Sequence, residues 1–93
     1  MKLSFDEMKD KIRELQTPEQ TWRPSMFIYN SPKGFEGQIV LKLWKACKLP
    51  EETEYFCIAS SLEEAREEVR KMGFSVHIGF DNVGSLNIAE IWV

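Results

Sequence analysis

The chain has 93 residues, 43% of them hydrophobic, and a formal charge of −3. That length supports one globular domain, 1–93, without metal or disulfide staples, and no stretch approaches the roughly 20 apolar residues of a membrane-spanning helix, so a cytoplasmic protein that meets no membrane is expected. The acidic balance argues against nucleic acid as the main partner, because phosphate neutralisation draws on clustered Lys and Arg.

The charge is unevenly placed. Residues 1–49 carry nine basic and six acidic side chains, whereas residues 50–93 carry three basic and nine acidic. Two halves of opposite sign either lean on each other within the domain or leave an acidic face for a partner.

The first predicted element is a helix over 5–15. Ser4 and Glu7 form a capping box, and Phe5, Met8, Ile12 and Leu15 recur at helical spacing to give one apolar stripe. The segment QTPEQTWRP that follows is a connector punctuated by two prolines, in which Trp22 reads as a core or interface plug. A short strand over 25–30 comes next, SMFIYN, apolar and aromatic enough to be buried on both faces.

Residues 35–48 admit two readings. Ile39, Leu41 and Leu43 alternate as a strand would, but Ile39, Val40, Leu43, Trp44, Ala46 and Cys47 gather on one face at 100° per residue, with Lys42, Lys45 and Lys48 opposite. The helical period leaves only Leu41 misplaced, so a helix ended by Leu49 and Pro50 is expected.

Residues 55–59 look like a central strand, apolar on both alternating faces. The stretch after it carries the clearest local signals in the chain. Ser61 and Glu64 form a second capping box, Leu62, Ala65, Val69 and Met72 make the apolar stripe of a helix over 62–72, Glu67 and Lys71 suit an ion pair one turn apart, and Gly73 supplies the left-handed stop. Phe74, Val76, Ile78 and Phe80 then alternate with Ser75, His77 and Gly79 as a half-buried strand. A turn at 81–85 and a last strand over 86–93 complete an antiparallel hairpin.

Strand-helix-strand order favours parallel neighbours. The expected fold is therefore α/β: a mixed four-stranded sheet with a C-terminal antiparallel hairpin and about three packed helices. If 35–48 were a strand, it would become an antiparallel α+β sheet of five strands.

Chemistry is sparse. Cys47 and Cys57 lack metal or redox spacing and read as buried thiols, while His77, the sole histidine, has no partner at ligand or catalytic spacing, which leaves catalysis through Cys57 and His77 the least favoured option. No phosphate loop, dinucleotide fingerprint or hydrolase motif occurs, so no enzyme activity, metal or cofactor is expected.

One possible ligand site remains, at the strand ends. Asn30, Ser31, Lys33 and Gly34 after one strand and Ser60 and Ser61 after another could cradle a phosphate or nucleotide, although turns and helix caps use the same residue types. The leading expectation is a small acidic non-enzymatic protein-interaction module, a regulator or inhibitor of a larger complex. Its contact surface is expected on the C-terminal strand, through Ile88, Glu90 and Trp92, where an unpaired edge would invite a protein partner or a second copy; the acidic helix with Glu63, Glu64 and Glu67 is the alternative.

Overall fold

A computed structural model gives the structure of the protein and describes residues 1–79 and 88–93. The elements run α1 (Phe5–Leu15), β1 (Arg23–Asn30), β2 (Ile39–Ala46), β3 (Glu51–Ala59), α2 (Leu62–Lys71), β4 (His77–Gly79) and β5 (Ile88–Trp92). The strands form one sheet in the order β3-β2-β1-β5-β4, and every neighbouring pair is antiparallel. The fold is thus a small α+β domain, in which β4 contributes only three residues.

Both described helices start where their caps require. Ser4 accepts a hydrogen bond from the Glu7 N–H, while the Ser4 N–H donates to the Glu7 carboxylate, a complete capping box. At α2, Ser61 accepts from the Glu64 N–H, but the Glu64 carboxylate reaches one residue further back, to the Ser60 N–H at 3.0 Å. The surface ion pair of this helix joins Lys71 to Glu68, three residues away, rather than to Glu67.

The helix expected over 35–48 is instead strand β2. A central strand with apolar partners above and below has no clean alternation to display. Leu41 and Leu43 point into the core beneath the helices, while Val40 and Trp44 point to the other face, and this two-sided demand imitates a helical stripe. Two further expectations fall with it. The parallel crossovers are absent because β1, β2 and β3 form a meander, and β3, expected in the centre, is an edge strand. Its middle is covered by the N-terminal segment, where the Leu3 N–H donates to the Phe56 carbonyl at 2.8 Å and the Phe56 N–H to the Met1 carbonyl at 3.2 Å.

The C-terminal strand is also displaced from its expected place. It lies inside the sheet, with β1 on one side and β4 on the other, because Phe27 pairs with Ile91 and Met26 with Trp92. The turn expected at 81–85 lies outside the described residues.

One face of the sheet carries the core. Met8 and Ile12 of α1 and Ala65 and Val69 of α2 bury against Met26, Ile28, Leu41, Leu43, Cys57 and Ala59. Both helices lie on this side, so among the described residues no helix covers the opposite face.

Candidate functional site

The residues proposed for the anion cradle do come to one end of the sheet, since Asn30, Ile39 and Ala59 stand in register across β1, β2 and β3. They do not converge on one point. Lys33 opens onto a groove on the uncovered face beside Tyr29 and Phe35, whereas Ser60 lines a separate groove with Lys2, Gly37 and Glu64. The turn groups are occupied locally: the Ser31 hydroxyl accepts from the Gly37 N–H, Gly34 donates to the Glu36 carboxylate, and Ser61 caps α2. The Glu64 carboxylate sits against the Ser60 N–H, in the place an incoming anion would need.

The residues expected to form a contact edge are largely internal. Ile88, Glu90 and Trp92 are each at most 6% exposed, because β5 is paired on both sides. Glu63 and Glu67 are exposed on α2 and Glu64 is half-buried.

Glu90 is the unexpected member. Its carboxylate lies in the interior and accepts from Arg66 Nε at 2.7 Å, from Arg66 Nη2 and from Trp92 Nε1 at 3.0 Å, with His77 Nε2 at 3.6 Å. Burial acts to raise its pKa, but the hydrogen bonds from Arg66 and Trp92 and the Arg66 and His77 charges outweigh it, so Glu90 is held below the ordinary carboxylate range. His77 stacks on Trp92 with ring centroids 4.9 Å apart, and the Arg70 guanidinium lies 5.3 Å from the same indole. This cluster ties α2 to β5 and β4. A single charge on a strand gave no hint of it in the sequence, except that Glu90 stands two residues from Trp92 and so shares its face.

His77 and Cys57, the least favoured catalytic pair, engage different partners, His77 the Trp92 ring and Glu90, Cys57 the Ser4 carbonyl. The Cys57 thiol is buried and donates toward the Ser4 carbonyl at 3.5 Å; burial, with the Glu7 and Glu68 charges adding, pushes its pKa up to about 12. A thiol in that setting is a poor nucleophile at neutral pH. Cys47, expected on a buried helical face, lies just past β2 and is half-buried, its Sγ 3.0 Å from the Leu49 carbonyl.

The uncovered face of the sheet is aromatic. Phe27 and Trp44 stack at 4.5 Å with planes 13° apart, and Phe35 meets Phe56 edge-on at 5.4 Å. Between them runs an open groove of about 430 Å³ whose apolar lining includes Tyr29, Phe35, Val40, Trp44, Phe56 and Ile88. Val40 and Ile88 are buried residues of this lining, whereas the rings are half-buried.

Among the described residues the polar groups of the groove are few. Lys42 pairs with Glu52, and the Tyr29 hydroxyl accepts from Trp44 Nε1 at 3.1 Å. Burial raises the Tyr29 pKa, only partly offset by that hydrogen bond, so the phenol keeps its proton at neutral pH.

No protein-family model, curated protein or solved structure matches the chain. Function must therefore be argued from these sites alone.

Proposed function

We propose that the protein is a non-enzymatic protein-interaction module, a regulator or inhibitor of a larger complex, that receives its partner on the uncovered aromatic face of the sheet. The observation carrying this reading is the groove between the Phe27–Trp44 stack and the Phe35–Phe56 pair, on the side that neither described helix covers. Contiguous aromatic surface of this kind is what interface anchors require, because such rings bury large apolar area at small entropic cost.

The sheet edge at β3 is a poorer candidate. Met1–Leu3 occupies its middle, and Glu51, Glu52 and Glu54 place charges along its first half, both of which oppose strand addition. The C-terminal strand is poorer still, since its outward groups are already paired.

The test compares affinity capture from the source cell by the wild type, by Phe35→Asp and by Leu49→Asp, where Leu49 is 80% exposed and does not line the groove. A partner recovered with the wild type and Leu49→Asp but lost with a folded Phe35→Asp variant supports the reading. Recovery that is equal with all three places the contact elsewhere.

A further inference from the structure

The groove has a particular polar character that narrows what it would hold. Its walls are rings and aliphatic side chains, and its polar groups are mostly donors. The Tyr29 hydroxyl already accepts the Trp44 indole N–H, so its own proton is available to an incoming acceptor. Lys33 is exposed at the rim and forms no ion pair among the described residues. Lys42 is held by Glu52, which among the described residues is the single carboxylate of the lining and is itself engaged. A partner that presented further donors or a cation would offer neither the Lys33 ammonium nor the Tyr29 proton an acceptor. One that presented a carboxylate beside an apolar side chain would satisfy both.

We infer that the groove takes an acidic segment of a partner protein, an aromatic or aliphatic side chain entering between Trp44 and Phe56 while a neighbouring Asp or Glu carboxylate meets Lys33 and the Tyr29 hydroxyl. This rests on the docking face proposed above and adds the chemistry of what docks there. The apolar anchor supplies most of the affinity and the carboxylate selects among anchors, as is usual where a charge sits at the rim of an interface.

The probe is a blocked hexapeptide of alternating aspartate and phenylalanine, titrated into ¹⁵N-labelled protein and followed at the Lys33 and Phe35 amides and the Trp44 indole. A second titration uses the asparagine-for-aspartate peptide. The acidic peptide is expected to shift these three signals and to bind about two- to fivefold more tightly than the neutral one at low salt, the range of an exposed ion pair. Lys33→Gln should remove that difference by weakening the acidic peptide to the level of the neutral one, and added salt should erode it in the wild type.

Equal binding of both peptides at these signals would overturn the acidic chemistry and leave the docking face standing. Failure of both peptides to move any of the three signals at millimolar concentration would also overturn it, with the docking face then decided separately by the Phe35→Asp capture. Shifts confined to α2 would refute both.

Discussion

Arg66→Met and Glu90→Gln break the same ion pair, yet they should differ in cost, because the two partners differ in access to water. The Glu90 side chain is 5% exposed and the Arg66 side chain 37%. With Arg66 gone, the carboxylate remains enclosed, among the described residues, with only the Trp92 indole N–H and the distant His77 beside it, and a buried charge left in that way costs about 3–5 kcal/mol. With Glu90 replaced by Gln, Arg66 can turn to solvent and the new side-chain oxygen still accepts from Trp92, so the loss is about 1–2 kcal/mol, that of charge-assisted hydrogen bonds.

The pH dependence separates the two cases further. In the wild type Glu90 titrates below its ordinary value of 4.5, so it contributes stability above that value, which is lost as pH falls through the lower folded pKa. In Arg66→Met burial is no longer outweighed, the carboxyl pKa rises, and the penalty is present at neutral pH and relieved on acidification. The gap between wild type and Arg66→Met should therefore narrow as pH falls toward about 4. Urea denaturation of the three proteins at several pH values measures it. An Arg66→Met variant no less stable than Glu90→Gln at neutral pH, or a gap that does not change with acid, would refute the assignment of Glu90 as a buried, Arg66-dependent charge.

Three other outcomes follow from the packing. Alkylation of the native protein should modify half-buried Cys47 well before Cys57, whose thiol is buried and held protonated, with the two rates converging in denaturant; equal native rates would contradict the placement of Cys57. Gly73→Ala should lower stability by about 1 kcal/mol through backbone conformation alone, since φ is +103° and an added Cβ meets nothing within 4 Å; an unchanged melting temperature would show that α2 ends differently. Leu41→Ala, at a fully buried position under the helices, should cost about 2–5 kcal/mol in urea, and a loss below 1 kcal/mol would argue that β2 is misplaced.

Local signals in the sequence translated into structure where the physics is local. Ser4 with Glu7 and Ser61 with Glu64 mark the two helix starts, and Ala65 and Val69 lie buried as their spacing requires. What failed depends on partners distant in the chain. Residues 39–46 serve two apolar layers at once, so their pattern fits a helix as well as a strand, and the alternative of an antiparallel α+β sheet is the one that forms. The position of the last strand depends on β1, about sixty residues earlier, accepting it as a neighbour, and no local motif encodes that pairing. The same long-range step hides the candidate groove, because Tyr29, Trp44, Phe56 and Ile88 come from four different strands. Lys33 stands out in the sequence as part of a cradle with Ser60 and Ser61, but the structure places Lys33 and Ser60 in separate grooves and uses Ser61 to cap α2.

The most direct test of the docking face is site-specific photo-crosslinking in the source cell, with a photoreactive residue at position 35 on the groove rim or at position 63 on the exposed side of α2. The account predicts a discrete protein adduct from position 35 and none from position 63. An adduct from position 63 alone would contradict it and move the interface to the acidic helix.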